Sequence, residues 1–252
     1  MMIIFFVIMV AGSVVFGEAG EAPPIFAQAA NSNLVYVANQ PAAPLGEALI
    51  VQKDSQIKTV DDLKGKRIAL NKGSNVHYLL LKLLEKHQLS LADIEVVYLP
   101  PSDARAAFER GSVDAWVIWD PFLAAAEHQI GARTLATGEN LVSNHQFYLA
   151  DRQFATQHPE ILNTVVNTLN TTTQWVKNNQ SDAAQLLQQP TGLELEVLNQ
   201  SIRRMGFGVS PISPEVAKQQ QYVADAFYQQ KLIPKRIDIQ TAILEQTPSG
   251  QK

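Results

Sequence analysis

The chain has 252 residues, 46% of them hydrophobic and 17% charged, with a net charge of −4. That is enough apolar material for one large domain or two small ones, and the mild charge, with no basic tail or Lys/Arg run, argues against a nucleic-acid partner. Cysteine is absent, which excludes disulfides, thiolate nucleophiles and cysteine-based zinc sites.

The opening run MMIIFFVIMVA (residues 1–11) is apolar, and the first basic residue is Lys53. The positive n-region of a secretory signal is therefore missing. The uncharged run ends near Gly17, short of the roughly 20 residues a membrane span requires. It reads as a buried strand or helix at a late start point in a longer natural sequence. A degraded signal or a weak membrane anchor are the alternatives.

Strand-like runs then alternate with helical patterns. LVYVA (34–38), ALIVQ (48–52), RIALN (67–71), IEVVYL (94–99) and VDAWVIW (113–119) are the strands. Helical spacing appears at 23–30, 75–87 and 103–110. Such alternation predicts βαβ units and a parallel sheet. RIAL and VDAWVIW are apolar on both faces, as a sheet covered by helices on both sides requires. TVDDLKGK, beginning at Thr59, has an N-cap, an acidic first turn and a glycine stop. Gly111 stands where a left-handed C-cap would end the helix at 103–110.

From Asp151 the chain is mostly helical. One helix begins at Pro159 and carries Ile161, Val165, Leu169 and Val176 on one side. A second spans 213–230 after a Ser-Pro-Glu start. The simplest plan is α/β with two lobes: residues 1–52 and 146–252 form lobe 1, and 53–145 form lobe 2, inserted into it.

Three places turn abruptly from strand or loop into helix. A helix N-terminus presents unpaired N–H groups and a partial positive charge, a suitable setting for an anion. The first lies at Gly20, Glu21 and Pro23. The second is Gly73, Ser74 and Asn75, before a leucine-rich helix. The third is Asp120, a good N-cap, with Pro121 at N1. Each is also explained by ordinary capping, and for Asp120 capping is the preferred reading, because a free carboxylate would repel an anion. Trp116 and Trp119, three apart on a strand, point to opposite faces. Trp119, at the carboxyl end, is the candidate for contact with an apolar ligand tail, and Trp116 belongs to the core. The five histidines show no metal-ligand spacing, and no phosphate-binding, nucleophile-elbow or zinc-protease motif is present. No cofactor is expected.

GEAPPIFAQAA (20–30 with its leading glycine), KTVDDLKGKRIALNKGSNVHYLLLKLL (58–84), PPSDARAAFERGSVDAWVIWDPF (100–122), FYLADRQFA (147–155) and LIPKRIDI (232–239) together carry a family resemblance. The chain resembles the substrate-binding proteins of ABC transporters for aliphatic sulfonates, within the wider nitrate, taurine and thiamine-precursor binding family. The resemblance implies a two-lobed type II periplasmic binding protein with its ligand in the cleft between lobes. By position it implies that Gly20 and Glu21 belong to the lobe 1 wall, and Gly73, Ser74, Asn75, Trp119 and Asp120 to the lobe 2 wall. It further implies a periplasmic, monomeric, non-enzymatic protein that passes a small anion, first of all an alkanesulfonate, to an ABC permease. Taurine, nitrate or a thiamine precursor are the alternative ligands. A same-fold enzyme such as a desulfinase is the rival reading, weakened by the missing cysteine, and a non-binding remnant is a third. Val15 and Ala19 depart from the acidic and small hydroxyl residues usual in the family. The short stretch before GSVVFGEAG leads to the expectation that lobe 1 is incomplete at its N-terminus.

Overall fold

A computed structural model of the chain describes residues 15–244. The expectations for the apolar run 1–11 and for the N-terminal edge of lobe 1 lie outside the described residues. The chain divides into two compact units. Unit 1 comprises Met1–Pro41, His145–Gln174 and Phe207–Lys252, and unit 2 comprises Ala42–Asn144 and Trp175–Gly206.

Unit 2 is built on a five-stranded sheet of order β5-β4-β6-β3-β7. Its strands are β3 (Glu47–Val51), β4 (Arg67–Leu70), β5 (Glu95–Tyr98), β6 (Ala115–Trp119) and β7 (Arg133–Thr137). The sheet is mixed. β4 runs parallel to β5 and β6, but β3 runs antiparallel to both β6 and β7. The expectation of a purely parallel sheet fails at β3. A strand buried on both faces reads the same in either direction, so its apolar run carries no sense of polarity.

Alternate residues of these strands serve two cores. On one face Leu49, Val51, Ile68, Leu70, Ala115 and Val117 meet Val76, Leu79, Leu80, Leu83 and Leu84 of α2 (Asn75–Lys86). On the other, Ala48, Ile50, Ala69, Trp116 and Ile118 meet Phe108 of α3 (Pro101–Glu109) and Leu123 and Ala126 of α4 (Phe122–Ile130). Each fully buried leucine contributes about 1.5–3 kcal/mol. The predicted punctuation is present: Thr59 and Asp62 form a reciprocal capping box, and Gly111 has φ +69° after α3. Residues 175–206 add α7 (Gln180–Thr191) and α8 (Leu195–Arg203), two helices not foreseen from the pattern.

In unit 1 the described strands form a sheet of order β1-β8-β2, made of β1 (Phe16–Gly20), β2 (Leu34–Asn39) and β8 (Gln146–Asp151). β8 is antiparallel to both neighbours, a second departure from the all-parallel expectation. α1 (Ala22–Ala29) follows β1, with Pro23 in its first turn as expected. α5 (Arg152–Gln157), α6 (Pro159–Asn178) and α9 (Pro214–Gln229) complete the helices of the description. Phe26 of α1 packs on Phe227 of α9 with ring centroids 5.2 Å apart.

The inward stripe of α6 matches the predicted one at Leu169 but not at Ile161. Leu162 and Thr173 are its buried residues, Val166 and Leu169 pack on the core, and Ile161 is 47% exposed. Leu162, Val166, Leu169 and Thr173 also recur at helical spacing; the two stripes share Leu169, and the turns before it are rotated by one residue from those expected. The outer face satisfies its hydroxyls locally: Thr164, Thr168, Thr171 and Thr172 each donate to the carbonyl four residues earlier. No helix among the described residues is long and apolar enough to cross a membrane.

Candidate functional site

The seven candidate residues fall in both units. Gly20 and Glu21 belong to unit 1; Gly73, Ser74, Asn75, Trp119 and Asp120 belong to unit 2.

In unit 2 the carboxyl ends of β4 and β6 and the amino end of antiparallel β3 share one sheet edge, because Glu47 of β3 is in register with Trp119 of β6. After β4 the chain turns through Gly73, whose φ of +70° favours a residue without Cβ. Ser74 is the N-cap of α2, yet its hydroxyl turns back to donate to Asn71 O at 2.6 Å. The Ser74 side chain makes no cap hydrogen bond to this 12-residue helix, whose N-terminus carries the positive end of the helix dipole. Asn75 donates to Asn144 Oδ1 at 2.7 Å, and Asn144 donates in turn to Ala43 O at 2.9 Å. Ser74, Asn75 and Asn144 are all buried. The segment 43–47 binds these parts together, since Asp120 N donates to Gly46 O at 2.9 Å.

His77, one turn into α2, is fully buried, and its Nδ1 accepts from Gly73 N at 3.3 Å. Burial, reinforced by the Lys72 ammonium, pushes its pKa down to about 4, so it is neutral at physiological pH.

The start of α4 differs. Pro121 occupies the cap rather than the expected N1 position, and the helix begins at Phe122. Asp120 nevertheless serves as a cap in effect, since its Oδ1 accepts from Ala124 N at 3.0 Å. It is also paired with Arg204, whose Nη1 lies 3.3 and 3.4 Å from the two carboxylate oxygens. Burial raises the Asp120 pKa to about 6, although Arg204 and the Ala124 amide pull it down. Capping, the reading preferred for this residue, accounts for its geometry.

The two tryptophans separate as expected. Trp116 is fully buried and lies 5.9 Å from the Phe108 ring. Trp119, partly exposed, packs against both cores at the strand end.

In unit 1, Gly20 ends β1 and Glu21 caps α1 by position without a side-chain cap bond. With Pro23 and Pro24 in the first turn, two of the four leading amide donors do not exist. Glu21 is 1% exposed, and its Oε2 accepts from His145 N at 3.1 Å. This start is a weaker setting for an anion than that of α2.

The sequence reading overlooked a polar knot at the same end of the unit 1 sheet. Gln40 donates to the Tyr148 hydroxyl at 2.8 Å, and its carbonyl receives His145 Nδ1 at 2.9 Å. Gln220 donates to Glu21 O and to the Tyr36 hydroxyl at 2.6 and 2.9 Å. Burial pushes the Tyr148 hydroxyl up to about 12 and raises Tyr36 as well, so both hydroxyls stay un-ionised. The available signal was the abrupt polarity of Asn39-Gln40 after LVYVA and of Asn144-His145 before FYLA. Arg204 was overlooked too. Among the described residues no cluster of His, Asp and Glu could hold a metal ion.

Two α/β units, each with polar loops at one sheet edge, define a periplasmic binding protein fold, and solved structures of that class match this chain. The chain belongs to the NMT1/THI5-like family, whose model matches residues 8–183. It is similar to the periplasmic aliphatic sulphonate binding protein SsuA from Escherichia coli: TM-score 0.91, 39% identity, covering 98% of this chain and 81% of that one. The alkanesulfonate-binding protein SsuA from Xanthomonas axonopodis pv. citri, bound to MOPS, superposes with TM-score 0.89 at 41% identity, over 95% of this chain and 83% of that one. A sequence of Escherichia coli (strain K12) named for aliphatic sulfonate binding is 41% identical over 237 residues, 94% of this chain and 74% of its own.

Proposed function

We propose that this chain is the solute-binding component of an ABC importer, that it binds an aliphatic sulfonate, and that it works as a periplasmic monomer delivering that solute to a membrane permease. The observation that carries the reading is the turn into α2, where Gly73 has φ +70°, Ser74 holds the N-cap position and Asn75 is fixed by Asn144. A sulfonate spreads one negative charge over three acceptor oxygens. Amide donors and a helix dipole match it without a dedicated Lys or Arg. Trp119, partly exposed at the neighbouring strand end, supplies an apolar surface for the alkyl tail. Gly20 and Glu21 are proposed contributors from unit 1, with Gln40 and Tyr148 as additional polar groups. The relatives named above are binding proteins by name, which favours carriage of the solute over its conversion.

Calorimetric titration with ethanesulfonate, MOPS, taurine and sulfate tests the reading. Saturable heat with a sulfonate, and none with sulfate, is the expected result. No heat and no thermal shift with any sulfonate would reject it. Nitrate and a thiamine precursor belong in the same panel as the alternative ligands of the family.

A further inference from the structure

Arg204, the residue that closes α8, places its guanidinium between two carboxylates of unit 2. Nη1 faces both oxygens of Asp120, at 3.3 and 3.4 Å, and Nη2 donates to Glu127 Oε2 at 2.7 Å. Glu127 has two further donors, Gln200 Nε2 at 2.7 Å and Thr134 Oγ1 at 2.8 Å. Asp120 has one, the Ala124 amide. The side chains of Arg204, Asp120 and Glu127 are 19%, 11% and 18% exposed. Little water reaches the group to screen its charges.

We infer that Arg204 is a positioning residue for anion binding: it cancels the charge of Asp120 and holds that carboxylate against the start of α4, so the surface beside Trp119 tolerates a sulfonate. This rests on the proposed sulfonate function. Three features support it. Asp120 directly follows Trp119, so its charge sits next to the proposed tail contact. The other charged group that shifts Asp120 is Glu127, which opposes ionisation and would add to the repulsion. Glu127 remains held by Gln200 and Thr134 if the guanidinium is lost, whereas Asp120 keeps only one backbone donor. Arg204 therefore matters most for Asp120.

The test is calorimetry with ethanesulfonate on the full chain, with thermal melts of every variant. At pH 7.5, Arg204→Gln should weaken binding at least tenfold. The Asp120→Asn/Arg204→Gln pair should recover to within about threefold of the unmutated chain, because the offending charge is gone while Asn still accepts from Ala124. Arg204→Gln alone should recover on acidification to pH 5.5, as the Asp120 carboxyl takes up a proton. Asp120→Asn alone should bind more tightly and more salt-sensitively, with the guanidinium now only half matched; this arm stands even if Arg204→Gln fails to fold. Unchanged affinity in Arg204→Gln, no recovery in a folded double variant, or weaker binding by Asp120→Asn alone would each overturn the inference and leave the sulfonate reading intact. If the unmutated chain binds no sulfonate, the functional reading falls and this inference with it.

Discussion

Asn75 and Asn144, 69 positions apart, are joined by an amide hydrogen bond of 2.7 Å that is closed to solvent on both sides. Asn144 passes the restraint on to Ala43 O. The bond thus ties the first turn of α2 to the segment that leads into β3. Replacing either residue with Ala leaves a buried amide group without its partner, which costs about 1–3 kcal/mol. Both N75A and N144A should melt at lower temperature. If the α2 start holds the sulfonate, both should also lose affinity beyond what their melting shift explains, as read by calorimetry well below the melting point.

Gly73 has φ of +70°. An L side chain in this conformation costs about 1–2 kcal/mol. Gly73→Ala is expected to destabilise by that amount in urea unfolding, and to weaken sulfonate binding by displacing the entry to α2. Gly65, also left-handed at φ +72° with open space around its would-be Cβ, is the control: Gly65→Ala should cost similar stability and leave affinity alone.

His77 and Asp120 should oppose one another in the acid range. His77 has a folded pKa near 4, below its unfolded 6.5. The unfolded chain therefore binds the extra proton first, and stability present above pH 6.5 is lost as pH falls towards 4. Its full size is roughly 3 kcal/mol. Asp120 has a folded pKa near 6, above its ordinary 3.8. The folded chain protonates first, and stability is gained as pH falls from 6 towards 3.8. The two slopes offset each other in the unmutated protein. Urea titrations between pH 4 and 7 should show a steeper acid loss in Asp120→Asn. In His77→Phe that loss should vanish or reverse. Identical slopes in all three proteins would contradict these assignments.

Trp116 and Trp119 give an optical test. Trp116 fills the core against Phe108 and is wholly buried. Trp116→Ala should cost about 3–5 kcal/mol. Trp119→Phe should remove the fluorescence change on adding an alkanesulfonate, while Trp116→Phe should retain it. A response that survives Trp119→Phe would move the tail contact elsewhere.

Much of unit 2 was legible because its strands and helices alternate in pattern as well as in space. Leu79, Leu80, Leu83 and Leu84 announce α2, and AWVIW announces a strand covered on both faces. Direction was not legible: the run ALIV of β3 is buried throughout and gives no hint that it runs against β6. β7 was missed because RTLAT is of mixed polarity, and β8 because its short apolar run FYLA entered only as part of a family-matching stretch. The first turns of the α6 stripe were misplaced by one position, though Leu169 was placed correctly, because Ile161 and Leu162 are equally apolar and only packing decides which one turns inward. Of the site, the glycine and serine before α2 were readable from capping rules. Arg204 was not, because its meaning comes from Asp120, 84 positions earlier, and no local pattern marks that pairing. Gln40 and His145 were hidden for the same reason.

β8 has a consequence for how the chain is made. Among the described residues β1 and β2 share no hydrogen-bonded edge with each other; β8 is the strand that joins them, and the other bridges of β2, to Ser210 and Ile243, lie later still in the chain. The intervening segment, Ala42–Asn144, holds every strand of the unit 2 sheet. As the polypeptide leaves the ribosome, β1 and β2 wait for a shared partner strand that emerges more than a hundred positions later. In the meantime the whole neighbouring sheet has become available to assemble. Pairing at such sequence distance is slow. The early strands of unit 1 are thus the part of the nascent chain most in need of shielding until synthesis passes Asp151.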